Sequence, residues 1–322
     1  MNVSKKIIAR DHNQITVMLL PHLLMILLLL GTLILPAFTA NESFRVLGGH
    51  VCKKDYEIMV SIRDSKTELH TCGGSLLSTK WILTAAHCFA KGDYAIIGLL
   101  PTEDLYNYKT GMKSHLTGWY PHPQFDENDN KEDIALGRLE PEVDLAALPH
   151  VRFVSLPQSL VTVELAEICK DKALSMGWGT TDFDRPVVER KIRCVELPVI
   201  TNAECKELYK ENDADIMIFD SSVCTFSKKG LDTCSGDSGG PLLCGGVQYG
   251  VVSWGDDCGL YPGVYTRVDK HLDFISGIMG NKRAYKSDAI RAVHRQGRFA
   301  VLVMVLLGIC NIYRDLFSTE YL

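Results

Sequence analysis

Apolar and polar positions divide this chain into three zones. Residues 15–40 read ITVMLLPHLLMILLLLGTLILPAFTA, without a charged side chain, and follow Lys5, Lys6 and Arg10. A basic start, a leucine-rich core and small residues at Ala37, Thr39 and Ala40 predict a secretory signal peptide over residues 1–40. The alternative is a signal anchor, because Thr16 to Phe38 is long enough to span a bilayer with its basic flank inside. Pro21 and His22 interrupt the early part of the run, so cleavage is the favoured reading. A second apolar run, Phe299–Cys310, has 12 residues. As a helix it would reach about 18 Å, short of the roughly 30 Å of bilayer hydrocarbon. Its basic upstream flank, from Lys282 to Arg298, would lie on the exported side, against the positive-inside tendency. Residues 281–322 therefore read as a basic and apolar extension that packs on the protein or lies on a membrane surface.

Between these ends the period changes. Short apolar or alternating runs recur at Glu57–Ile62, Gly74–Leu77, Tyr94–Gly98, Ile134–Leu139, Ala173–Gly177, Gln248–Trp254 and Gly263–Val268. Loops rich in Gly, Pro, Asn and Asp separate them, which predicts an all-β sandwich or barrels. One helix is expected, over Asp269–Ile278, with Leu272, Ile275 and Ile278 on one side.

Composition sharpens this picture. The 322 residues are 46% hydrophobic, enough for a core and too apolar for wholesale disorder. The formal charge of −5 hides a split. Residues 1–45 carry +2 and residues 281–322 carry +4, whereas residues 46–280 carry −11. An acidic central block argues against a nucleic-acid binder. Eleven cysteines suit an oxidising compartment and a disulfide framework with one cysteine left over.

Three motifs in the acidic block carry the chemistry. They are TAAHC at Thr84–Cys88, EDIAL at Glu132–Leu136 and GDSGGP at Gly236–Pro241. Singly each has a bland reading. Together, in the order His, Asp, Ser, they resemble the chymotrypsin/trypsin family of serine proteases, over Val46 to about Gly280. The resemblance implies two six-stranded antiparallel β-barrels packed together with a C-terminal helix, over a catalytic domain at 46–280. It also implies the roles of the residues. Ser238 is the expected nucleophile, His87 the base that activates it and Asp133 the group that orients the imidazole. Backbone N–H groups of Gly236 and Ser238 form the expected oxyanion hole. Ser253 matches the serine that supports the aspartate.

By the same resemblance Asp232, six residues before Ser238, sits at the base of the specificity pocket beside Thr233. Trp254, Gly255 and Gly263 line its walls. A buried carboxylate needs a partner, and a substrate Arg or Lys supplies one. The expected partners are protein or peptide substrates with Arg or Lys at the cleavage site, and protease inhibitors. No cofactor and no metal-binding residues are expected. The family pattern pairs Cys52 with Cys194, Cys72 with Cys88, Cys169 with Cys244, Cys205 with Cys224 and Cys234 with Cys258, leaving Cys310.

Residues 41–45 read as an activation propeptide ending at Arg45. The new N-terminus at Val46 would fold inward and pair with Asp237. No cysteine precedes Arg45, so activation would release the enzyme even from an N-terminal anchor. Asn41-Glu42-Ser43 is an N-glycosylation sequon. There are departures from the family pattern too. Asp256-Asp257 replaces smaller residues at the pocket rim, and Gly259-Leu260-Tyr261-Pro262 is short. Glu103 and Asp104 fall where some trypsins bind calcium, but read better as solvated acids. Acidic groups at Asp126, Glu127 and Asp129 and at Glu211, Asp213 and Asp215 read first as ordinary solvated loops, and alternatively as a field favouring basic substrates. The leading expectation is a secreted, extracellular, zymogen-derived trypsin-like endopeptidase. The alternatives are a membrane-tethered processing protease, in contact with lipid through residues 15–38 or 299–310, and a non-catalytic homologue acting as a binding module.

Overall fold

The structure is a computed structural model and describes residues 49–89, 91–169, 172–180, 187–210 and 216–280. The chain divides at Ser43/Phe44, and every described residue belongs to the second unit.

The first barrel is built from β2 (Met59–Arg63), β3 (His70–Leu76), β4 (Trp81–Thr84), β5 (Tyr94–Ile97), β6 (Met112–Pro121) and β7 (Ala135–Glu140). Its antiparallel order is β2-β3-β4-β7-β6-β5, and β5 pairs back onto β2 to close it. Val60, Ile62, Leu76, Ile82, Ile97 and Leu136 fill its interior. These are β-branched or leucine side chains, which pack well on a pleated surface.

The second sheet joins β1 (His50–Val51), β8 (Ala173–Gly177), β9 (Arg193–Leu197), β10 (Val199–Ile200), β11 (Ser222–Thr225), β12 (Pro241–Cys244), β13 (Val247–Trp254) and β14 (Gly263–Arg267). Its hydrogen-bonded order is β1-β9-β8-β12-β13-β14-β11-β10. The two ends of that row are related by sequence. β9 and β10 form one extended segment broken at Pro198, which has no N–H to give. β9 pairs with β8 and β10 pairs with β11, while Phe226 N–H donates to the Pro198 carbonyl at 3.1 Å. The segment therefore serves both edges, and six strands curl into the second barrel with β1 appended. Two β-barrels and a C-terminal helix make this an all-β fold.

Among the described residues three short α-helices decorate it: α1 (Leu165–Cys169), α2 (Asn202–Lys210) and α3 (Leu272–Ile278). α3 returns to the first barrel, where Leu272 and Ile275 join its core. It starts three residues later than the pattern suggested. The Asp269 carboxylate is held by Arg267 at 2.7 and 3.0 Å and by Val161 N–H at 3.0 Å, which fixes that residue outside the helix. Glu103 and Asp104, expected as solvated acids rather than calcium ligands, are partly exposed and also accept hydrogen bonds. Glu103 accepts N–H bonds from Leu100, Lys109 and Thr110, and Asp104 accepts from Tyr106, Asn107 and Arg190. Both carboxylates brace their own loop.

Candidate active site

Local backbone decides where the motif residues stand. After β4 the chain enters a tight 3-10 turn, Ala86–Cys88, that presents His87. The Cys72–Cys88 disulfide ties this turn to β3. Asp133 lies just before β7 and is fully buried. Its carboxylate accepts three bonds: His87 N–H at 2.9 Å, His87 Nδ1–H at 2.7 Å and Ser253 Oγ–H at 2.5 Å. A carboxylate can only accept here, so the Nδ1 proton is fixed and Nε2 keeps its lone pair for chemistry. Thr266 Oγ1 donates to the Asp133 carbonyl at 2.9 Å and anchors the backbone too.

Ser238 comes from the other barrel, on the turn before β12. Its carbonyl accepts the Gly73 N–H at 2.8 Å. The Cys88 sulfur stands 3.9 Å from His87 Nε2 and 3.8 Å from that same carbonyl oxygen, so imidazole and serine turn flank one disulfide. Gly236 holds φ +101°, a conformation that side chains strain to adopt. Among the described residues neither the Gly236 nor the Ser238 N–H has a protein acceptor. Two unspent donors beside a serine are what a developing oxyanion requires.

His70 is a positioning residue that the sequence reading missed. Its Nε2 lies 2.9 Å from the Gly236 carbonyl and its Nδ1 2.9 Å from Ser61 Oγ. Burial pushes this imidazole down to about 4, so it is neutral at pH 7. It then donates through Nε2 and accepts at Nδ1, clamping the peptide that carries Gly236. A lone histidine beginning a strand gave no signal of this.

Beside Ser238 opens a pocket of about 140 Å³, walled by Thr233, Ser253, Trp254, Gly255, Cys258 and Gly263. Asp232 is not itself a wall residue but adjoins two of them, Thr233 and Gly263. A Cβ on Gly263 would come within 2.7 Å of Asp232 Oδ1. The Asp232 carboxylate accepts Thr233 N–H at 2.8 Å and Gly259 N–H at 3.0 Å. It is only 3% exposed, and among the described residues no basic side chain pairs with it. Burial pushes its pKa up to about 7. Asp237, buried one residue before Ser238, accepts N–H bonds from Gly179 at 2.7 Å and Cys234 at 2.9 Å. Burial pushes it up to about 6.

Further disulfides join Cys52 to Cys194, Cys169 to Cys244, Cys205 to Cys224 and Cys234 to Cys258, the last beside the pocket. Arg45, Val46, Asn41, Cys310, the acidic group at Glu211, Asp213 and Asp215, and both terminal apolar runs lie outside the described residues. Asp126 and Asp129 accept backbone bonds from Asn128 and Lys131, so part of that acidic run is spent on its own turn.

Fold and site together place the chain among serine proteases built on two β-barrels. Comparison narrows that class. A family model described as Trypsin matches residues 46–275. The chain is 35% identical over 269 residues to kallikrein-8 of Homo sapiens, covering 80% of this chain and 95% of the relative. It is 32% identical over 255 residues to trypsin-4 of Rattus norvegicus, covering 76% and 94%. Kallikrein-11 of Mus musculus is 32% identical over 268 residues, covering 80% and 90%. The chain belongs to the trypsin family of serine proteases.

Proposed function

We propose that this chain is a secreted serine endopeptidase, made as a zymogen cleaved after Arg45, that hydrolyses peptide bonds after Arg or Lys. One observation carries the specificity. The Asp232 carboxylate is buried against Gly263, a wall of the pocket beside Ser238, and among the described residues no cation pairs with it. An unpaired buried carboxylate is costly, and a substrate guanidinium or ammonium relieves that cost.

In this reading His87 Nε2 takes the Ser238 hydroxyl proton as the oxygen attacks the scissile carbonyl. Asp133 stabilises the resulting imidazolium, and the Gly236 and Ser238 N–H groups receive the oxyanion. The imidazolium returns its proton to the leaving amine, and water releases the acyl group by the same steps. Activation supplies one more charge. The Val46 ammonium, freed by cleavage after Arg45, pairs with Asp237 and holds the turn that bears Ser238. The paired cysteines and the pattern of residues 1–40 support an exported protein.

The test is a peptide-library cleavage profile of the full chain, before and after cleavage at Arg45. Cleavage after Arg and Lys, appearing only with the new Val46 terminus, supports the reading. A profile indifferent to basic residues overturns the specificity, and full activity with Arg45–Val46 intact overturns the activation scheme. Partition of the expressed protein between medium and membrane separates secretion from tethering.

A further inference from the structure

Away from the triad and the pocket, His122, Glu132 and His271 converge from three chain segments. His122 follows β6, Glu132 precedes Asp133 and β7, and His271 leads into α3. One ligand-capable atom of each lies within 4.8 Å of the others. His271 Nε2 contacts Glu132 Oε2, and the His122 ring stands edge-on to the His271 ring at 5.1 Å. His271 is buried, while His122 and Glu132 are partly exposed. Cys72, His87 and Cys88 also cluster, but a disulfide holds both sulfurs.

The hydrogen bonds around the trio aim two lone pairs at one another. His271 Nδ1 lies 2.6 Å from the Arg267 carbonyl, which can only accept, so its proton belongs on Nδ1. The Nε2 lone pair then points at a carboxylate oxygen. The two can bond only if a further proton sits between them, and a divalent cation satisfies both lone pairs without that proton. A backbone carbonyl on the far nitrogen is the usual outer-shell brace of a metal-bound histidine. Glu132 is braced likewise, its other oxygen accepting Ser221 Oγ–H at 3.1 Å. His122 Nδ1 accepts the Gln124 N–H at 3.3 Å, a long bond that must be given up, with the proton moved to Nδ1, before Nε2 can ligate. Two imidazoles and a carboxylate are a recurrent zinc donor set. Bonds of 2.0–2.1 Å at a tetrahedral centre place ligand atoms about 3.3 Å apart. Reaching that spacing takes side-chain shifts of roughly an ångström, with Glu132 and His271 parting.

We infer that His122, Glu132 and His271 form a three-ligand site for a divalent transition cation, zinc in the first instance, with its fourth position open to solvent. Such an ion would pin the loop before Asp133 to the segment entering α3.

The experiment titrates Zn²⁺ into the chelator-stripped full chain by calorimetry, in two buffers of different ionisation enthalpy, and records the visible spectrum after Co²⁺ loading. The variants are His122→Asn, Glu132→Gln and, to remove the triad imidazole as a competitor, His87→Ala. The expected result is one zinc in the unmodified chain and in His87→Ala, with proton release and a raised thermal midpoint. Losing an outer-shell partner alone costs 10–100-fold in metal affinity, so His122→Asn is expected to lose about 100-fold or more. The tetrahedral Co²⁺ spectrum disappears with it. His122 is partly exposed and lies outside the strands, so it decides the matter should Glu132→Gln misfold. Zinc binding that survives His122→Asn, binding lost in His87→Ala instead, or no binding below millimolar zinc overturns the site.

Discussion

Asp232→Ser is expected to destroy activity and add stability in the same protein. The carboxylate is displaced from 3.8 to about 7, chiefly by burial, with repulsion from Asp237 adding to it. For a group this buried the displacement corresponds to about 4 kcal/mol. The sign follows from which state holds the proton. A raised carboxyl binds its proton more tightly when folded, so the native state loses stability as pH climbs from 3.8 through 7. Above that window the whole penalty is present. Serine carries no such penalty, but it leaves the Thr233 and Gly259 N–H groups without their carboxylate, about 1 kcal/mol each. The net gain at pH 8 is then about 2 kcal/mol, or roughly 4–8 °C in the thermal midpoint of a domain this size. The gain shrinks on acidification and reverses near about pH 5. Activity moves the other way. Truncating one member of a buried charge pair costs about 2–5 kcal/mol, roughly 30- to 5,000-fold in kcat/KM. Matched peptides with Arg, Lys or Leu at the cleavage site, assayed beside thermal scans at pH 4, 6 and 8, read both effects. The reasoning fails if Arg cleavage survives within about tenfold, or if the variant is equally destabilised at every pH.

Two further substitutions address the chemistry. Asp133→Asn places an amide against His87 Nδ1 and Ser253 Oγ, both donors, and so forces the imidazole into the wrong tautomer. A fall of about 10⁴ in kcat is expected for this catalytic template, and a loss under about tenfold would contradict the assigned role. Gly236→Ala puts a methyl 3.1 Å from Gly179 Cα at φ +101° and turns an oxyanion donor away. Steady-state kinetics should show kcat down about 10²–10³ with KM little changed, whereas a fall in KM alone would refute the donor's function.

The strands legible in the sequence are those whose two faces differ or whose both faces are buried. Ala173–Gly177 has the bounds of β8, and Gly263–Val268 exceeds β14 by one residue. β6 escaped notice although it is ten residues long. Its side chains are mostly half-exposed and it holds Lys113, His115 and Gly118, so no alternation survives. α2 escaped for a related reason. Only Cys205 and Tyr209 are buried on it, one turn apart, too thin a stripe to register as helical. The motif residues near His87 and Ser238 could be read because each turn is written in adjacent letters. The clamp on Gly236 could not, since His70 and Gly236 are 166 residues apart. The same holds for the metal-site trio, where Glu132 and His271 are 139 residues apart.

That dispersal follows from where the candidate site lies. The first barrel contributes His87 and Asp133; the second contributes Ser238, Ser253 and the pocket. Apolar burial can hold two barrels together in many orientations, because it is non-directional. The seam is instead crossed by buried polar contacts with exact partners: Gly73 N–H to the Ser238 carbonyl, Ser253 to Asp133, Thr266 to the Asp133 carbonyl, and Ser75 to Gln248 at 2.6 Å. Each would be left buried and unmet in any other docking, at about 1–3 kcal/mol apiece. Gly239 makes the close approach feasible. A Cβ there would fall 2.1 Å from Thr84 Oγ1 and 2.6 Å from the Gly73 carbonyl, at φ +80°. The glycine after Ser238 thus serves the fit between barrels, and that fit brings serine and imidazole to the same disulfide. Misalignment of the barrels by an ångström would break the polar seam and the candidate triad together, so the orientation that stabilises the fold is also the one that assembles the chemistry.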